Sequence, residues 1–325
     1  MDRSIADYNV LDRIGEGGLG EVWRARDTKV GRTVALKILP SALLEDSGRR
    51  GRLMEDARAA ATLSHPNIAT LFDVGADYLV YEFAFGTTLR KQMTGQPMNT
   101  RHGLELAVQL TDATAEAHAH GVLHTDLRPE TVIVTGKGNA KILDFGMAAW
   151  TRGGAIRSNV MSAATAPGAD DIVPYLSPEQ ALGRPVDART DVFSLGVIIY
   201  EMLTGTNPFA ASSATETIRK IMRAAPVPAS RVNAQLPPEL DALLLRALAK
   251  DVDARQQSAA SLSAELRTVA AVLDVRSGDT GPSELIPLDD DGGSGWWWVA
   301  VILVVAAIAI GMWWWMGSSL VRRSS

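Results

Sequence analysis

The sequence predicts an α+β chain, with its strands gathered toward the N-terminus and its helices toward the C-terminus, followed by one long apolar helix. Three observations carry this. Residues up to about 83 contain short runs of period two around glycine turns, the spacing of strands. From about residue 100 onward, apolar residues recur at three to four, as in Leu106, Leu110, Ala113 and Ala117, the spacing of a helix face. Trp296 to Met316 contains no charged residue. As a helix it would span roughly 31 Å, enough for a bilayer core.

Bulk composition narrows the function classes. The net charge is −5, which leaves no electrostatic footprint for nucleic acid. There is no cysteine, so disulfides and thiolate metal sites are excluded, in keeping with a reducing cytosol. Met1 to Tyr8 lacks the apolar stretch of a signal peptide. Composition leaves the oligomeric state open.

The first strands are expected at Tyr8 to Ile14 and Glu21 to Arg26, joined by Gly15-Glu16-Gly17-Gly18-Leu19-Gly20. In a dinucleotide fold such glycines would open a helix, but Val22-Trp23 favour a strand. The glycines therefore sit in a hairpin, where backbone N–H groups can approach a phosphate unhindered by a Cβ. An ordinary glycine-rich turn would read the same way. Thr33 to Leu39 alternates, with Val34, Leu36 and Ile38 on one face and Ala35 and Lys37 on the other. Arg49 to Leu63 reads as a helix that must end before His65-Pro66, because proline disfavours helical geometry at the preceding residue. Ile68 to Asp73 and Tyr78 to Phe83 are further strands.

The stretch with the most chemistry is His124-Thr125-Asp126-Leu127-Arg128-Pro129-Glu130-Thr131. Val132 to Val134, the turn Gly136 to Asn139, and Lys141 to Leu143 follow, and then Asp144-Phe145-Gly146. Two apolar runs around a Gly/Asn turn form a hairpin. Asp126 precedes its first strand and Asp144 follows its second, so both carboxylates come to one end. That pairing suits a base and a metal ligand. His118, His120 and His124 do not make a metal site, since residues two apart do not share a helix face.

These motifs, in this order, resemble the eukaryotic-like serine/threonine protein kinases of bacteria over about residues 8–273. The resemblance implies a bilobal kinase-like fold, with an N-lobe at about 8–84 and a C-lobe at about 85–273. It implies ATP with Mg²⁺, or Mn²⁺ in its place, and a protein substrate carrying a Ser or Thr acceptor. Asp126 would orient the substrate hydroxyl and take its proton, with Arg128 beside it in place of the usual lysine. Nucleotide contacts would come from Ile14, the Gly15–Gly20 loop, Val22, Ala35, Lys37, Tyr81 at the back of the adenine pocket, Glu82 and Ala84 in the hinge, and Ile133. Asp144 would bind the metal, and Thr131 would stand in for the asparagine that supplies a second ligand. Asp56 would pair with Lys37, one methylene shorter than the usual glutamate. Asp191 would hold the catalytic-loop backbone, and Arg255 would pair with Glu179.

Thr125, Thr131, Ile172 and Asp56 depart from the family pattern. Thr125 replaces the arginine that grips a phosphorylated activation segment, so no dependence on such phosphorylation is expected despite Thr151, Ser158, Ser162 and Thr165. Two readings stand: a kinase, potentially slow, and a pseudokinase that binds nucleotide or docks a partner.

Residues 274–295 are rich in Ser, Gly, Pro and Asp and read as a flexible linker. Residues 296–316 are the expected transmembrane helix, with Trp triplets at both ends as interfacial belts. Residues 317–325 form a short tail. Arg322 and Arg323 would place that tail inside by charge alone. A large leading domain without a signal peptide stays where ATP is, so the expectation is a single-pass membrane protein with a cytoplasmic kinase-like domain.

Overall fold

In a computed structural model, the chain is described over residues 4–17, 20–147, 150 and 169–276. Gly18, Leu19, the phosphorylatable residues 151–165, the linker's residues from 277 on, the apolar span 296–316 and the tail lie outside the described residues. Among the described residues, no helix is long and apolar enough to cross a membrane. Met1–Arg276 forms one compact unit.

The N-terminal part is a six-stranded antiparallel sheet with strands β1 (Ser4–Ile5), β2 (Tyr8–Gly17), β3 (Gly20–Asp27), β4 (Thr33–Ile38), β5 (Leu71–Val74) and β6 (Tyr78–Glu82). Their order is β1-β2-β3-β4-β6-β5. β2 and β3 run further than their period-two segments, and pair out to Gly17 opposite Gly20. Gly20 has φ +100°, and a Cβ there would lie 2.0 Å from the Ile38 carbonyl oxygen, so only glycine fits.

Register sorts the β4 side chains as the alternation predicts. Val34 and Leu36 pack with Tyr8, Ala25 and Val80 on the outer face. Ala35 stands opposite Tyr81, and Lys37 opposite Leu79. This second face is covered by helix α1 (Ser47–Ala60), which buries only Leu53, Ala57 and Ala60. Asp46 caps α1 by accepting from the amides of Gly48 and Arg49.

A three-stranded sheet opens the second part: β7 (Gly86–Thr88), β8 (Val132–Thr135) and β9 (Ala140–Ile142), in that order. β8 and β9 are the expected hairpin, with Val132 opposite Ile142. A parallel bridge from Ile68 to Ile142 ties this hairpin to the chain leaving α1. The longer helices are α2 (Thr100–Ala119), α3 (Ala188–Thr204), α4 (Ala214–Arg223), α5 (Pro238–Ala247) and α6 (Ala259–Arg276). Every residue of α3 from Thr190 to Thr204 is buried, and the large core is built around it. The helix ends at Gly205, whose φ of +76° closes the last turn.

Candidate active site

Lys37 and Asp144 are 107 residues apart in sequence, yet their side chains form an ion pair, each less than one-fifth exposed. A cation borne on the small sheet and a carboxylate that follows the β8–β9 hairpin therefore meet in one cleft. The Lys37 ammonium also lies 5.1 Å from the centre of the Tyr81 ring. Tyr81 is buried, its hydroxyl has no hydrogen-bond partner among the described residues, and burial together with the Asp144 charge pushes its pKa well up.

The loop that bears Asp126 is pinned from several directions. Asp191, wholly buried near the start of α3, accepts from the amides of His124 at 2.8 Å and Thr125 at 2.6 Å, and bonds His118 Nε2 at 2.8 Å. Burial alone would raise the Asp191 pKa, but the His118 bond and the His124 amide outweigh it and hold the carboxyl below its ordinary range. The His124 ring bonds the Leu143 carbonyl at 2.8 Å and stacks edge-on to Phe145 at 4.8 Å. The two aspartate-bearing segments are thereby fastened to each other.

Two non-glycine residues at this place have left-handed backbone, Thr125 at φ +57° and Asp144 at φ +63°. A β-branched residue in that region costs on the order of 1–3 kcal/mol and persists only where its surroundings over-determine it. At Thr125 they do. Asp191 takes its amide, and Gln180 Nε2 donates to its carbonyl at 2.7 Å. Gln180 itself is fixed by a capping box with Ser177. The functional weight of Gln180 was not predicted from the sequence, where Pro178-Glu179-Gln180 shows only an acidic helix start.

Asp126 is buried, with the Arg128 guanidinium 3.4 Å away. Arg128 also reaches Glu130 at 3.4 Å, and its buried Nε, the atom nearest Asp126, makes no hydrogen bond among the described residues. Thr131 is turned inward. Its hydroxyl donates to the Arg128 carbonyl at 2.9 Å and accepts from the Arg128 amide at 3.2 Å. Its short side chain thereby closes the loop turn.

The expected pairing of Asp56 with Lys37 is corrected. Lys37 pairs with Asp144, and the Asp56 carboxylate accepts from the Trp150 indole N–H at 2.8 Å. An aspartate is one methylene short of the reach of a glutamate, and Trp150 packs into the cluster beneath α1 with buried Met147.

Several of the other expected contacts are strand residues. Gly15, Val22, Lys37 and Leu79 line up across four strands. Val22, Ala35, Ala84 and Ile133 are half-buried, while Ile14 and Glu16 are exposed and Glu16 is bound to Arg13 at 2.5 Å. Glu82 accepts from Lys141 at 2.6 Å. Gly17 closes the hairpin tip. Elsewhere, Glu179 accepts from Arg255 at 2.8 and 3.1 Å and from Thr190 at 2.8 Å.

A two-lobed fold in which a sheet lysine meets the aspartate that follows the β8–β9 hairpin is the arrangement of the protein-kinase fold. The protein kinase domain family matches residues 8–265, and the chain belongs to that family. It is 37% identical over 268 residues to the serine/threonine-protein kinase PknB of Mycolicibacterium smegmatis, covering 80% of this chain and 42% of that protein. It is 32% identical to the serine/threonine-protein kinase PrkC of Bacillus subtilis, covering 80% and 40%. The chain thus spans about two-fifths of the length of these relatives. The PknI kinase domain of Mycobacterium tuberculosis has the same fold, with a TM-score of 0.64 at 24% identity over 83% of this chain and 98% of that one.

Proposed function

We propose that this chain is a serine/threonine protein kinase that transfers the ATP γ-phosphate to a Ser or Thr hydroxyl of a protein. The observation that carries this is the meeting of Lys37 and Asp144 beside a loop that fixes Asp126. The donor set fits the nucleotide: one cation for phosphates, and hard carboxylate oxygen for Mg²⁺ or Mn²⁺. When bound, ATP and its metal supply the transferable group and neutralise its charge. Asp126 then orients the substrate hydroxyl and accepts its proton. Arg128, held 3.4 Å from Asp126, keeps positive charge next to that carboxylate. Lys37 would hold the phosphate oxygens, the Gly15–Gly20 loop would cover them, and Asp144 would hold the metal.

The rate is low in this reading. Thr131 is committed to the Arg128 backbone, and Asp56 is not paired with Lys37. Each contact of ~1.4 kcal/mol missing in the transition state costs about tenfold. We place the kinase domain at 8–273, the linker at 274–295 and the membrane helix at 296–316. The domain lies on the cytoplasmic side, and ATP and a protein substrate are its partners.

The test is transfer of labelled phosphate by the full chain in detergent with Mg²⁺ or Mn²⁺, beside Asp126→Asn and Lys37→Met. Transfer that falls at least about a hundredfold in both variants is the expected outcome. Absence of transfer in the parent, with thermal stabilisation by ATP, would instead establish a nucleotide-binding pseudokinase.

A further inference from the structure

Asp126 stands at one end of a row of side chains whose charges alternate in sign. Arg128 lies 3.4 Å from Asp126 and 3.4 Å from one oxygen of Glu130. The other oxygen of Glu130 accepts from Arg90 Nε at 2.6 Å. Arg90 Nη1 donates to Glu201 at 2.8 Å, and its Nη2 donates to the Tyr175 hydroxyl, which itself donates to Glu201. Glu201 is buried on α3, and Arg90 stands on the short helix Leu89–Gln92, whose Leu89 is buried in the large core. The row thus leads from the catalytic loop into the most deeply buried helix of the molecule.

Its two ends are held differently. Arg90 meets Glu130 and Glu201 through short charge-assisted hydrogen bonds. Both contacts of Arg128 exceed hydrogen-bond length. The buried Nε of Arg128 and the buried Oε2 of Glu130 make no hydrogen bond among the described residues. A guanidinium beside a single carboxylate closes on it through two parallel bonds of about 2.7–2.9 Å. Arg128 has closed on neither neighbour. It stands equally far from two carboxylates, and one of them is tied to the core through Arg90. The backbone of Glu130 is fixed as well, in the single turn Pro129–Thr131 that the Thr131 hydroxyl closes on Arg128.

We propose that Glu130, anchored by Arg90, is a positioning residue that draws the Arg128 guanidinium off Asp126, so that this carboxylate receives the acceptor hydroxyl instead of a guanidinium fork. The inference rests on the phosphotransfer reading above, in which Asp126 takes the proton of that hydroxyl. With Glu130 uncharged, Arg128 has one carboxylate left and closes on it, and the base is then engaged by the protein's own cation. The ion pairs of Glu130 are with Arg90 and Arg128, whereas Lys37 pairs with Asp144, so ATP binding survives the loss of the Glu130 charge.

The test is steady-state transfer of labelled phosphate from ATP with Mg²⁺ to dephosphorylated casein, by the full chain in detergent. Glu130→Gln is expected to lower kcat at least about tenfold, with the KM for ATP within about twofold of the parent. Arg90→Lys, which can hold one of the two glutamates but not both, should lower kcat several-fold. In an Arg128→Lys background the ammonium has no fork to close on Asp126, and there Glu130→Gln should change kcat by no more than about twofold. A purely structural Glu130 would instead lower it equally in both backgrounds. If Glu130→Gln does not fold, Glu130→Asp carries the same comparison, because its carboxylate stands one methylene short of Arg128. An unchanged kcat, or an equal fold-loss in the two backgrounds, would overturn the positioning role and leave the phosphotransfer reading standing. No transfer by the parent chain would overturn both.

Discussion

The two walls of the cleft are built to different standards. On the large-lobe side, α3 is buried along its length and Asp191 alone fixes two catalytic-loop amides and a histidine. On the small-lobe side, α1 buries three residues, carries glycines at 48 and 51, and has its one aligned acid occupied by an indole. Glycine within a helix costs up to about 1 kcal/mol relative to alanine. The catalytic loop is therefore held in place by the fold, whereas the position of α1 relative to Lys37 rests on a few exchangeable contacts. A site assembled this way is set on one side and adjustable on the other.

The sharpest way to break the contrast is at Asp191. Asp191→Ala leaves buried amides and His118 without their acceptor and releases Thr125 from its left-handed backbone. A loss of about 3–5 kcal/mol is expected in chemical denaturation, the range for breaking a buried charged network. If the variant unfolds at the same denaturant concentration as the parent, Asp191 is not the anchor.

Acid should test the large-lobe wall next. Asp191 and Glu179 both have folded pKa values below their ordinary ones, with burial opposed and outweighed by hydrogen bonds and, for Glu179, by Arg255. A depressed carboxyl contributes stability that is fully present above its unfolded pKa and is lost as pH falls through the folded one. Denaturation midpoints should thus be steady near neutrality and decline below about pH 4, the region of the unfolded carboxyls. Glu179→Gln should shrink that decline. An unchanged acid profile in Glu179→Gln would remove the pair from the account.

The smallest effects belong to the adjustable wall. Trp150→Phe removes the indole donor to Asp56 while keeping an aromatic ring in the cluster, and should cost no more than about 1 kcal/mol of stability. Asp56→Glu restores the missing methylene. Each is expected to raise phosphate transfer a few-fold, and the double variant by roughly tenfold, if α1 then brings its acid to Lys37. Rates that stay level or fall in both would mean that the Trp150–Asp56 contact supports activity.

Much of this was legible in the sequence, and the reasons differ by residue. The β8–β9 hairpin follows from alternation and a Gly/Asn turn, both local, and it delivers Asp126 and Asp144 to one end. The face shared by Ala35 and Lys37 follows from period two. Asp56 was legible as an acid on α1 but not as the partner of Trp150, because pairing depends on how far a helix stands from a sheet. Thr125 gives no hint of a positive φ, since a β-branched residue is among the least suited to it and only Asp191 and Gln180, 66 and 55 residues away, impose it.

One consequence of the Lys37–Asp144 bond concerns the order of events at the cleft. Each residue is the other's counterion, so neither presents a naked charge to an arriving molecule. On the proposed function, a nucleotide would have to part them before either could serve it, and phosphate and metal arriving together would satisfy both former partners at once.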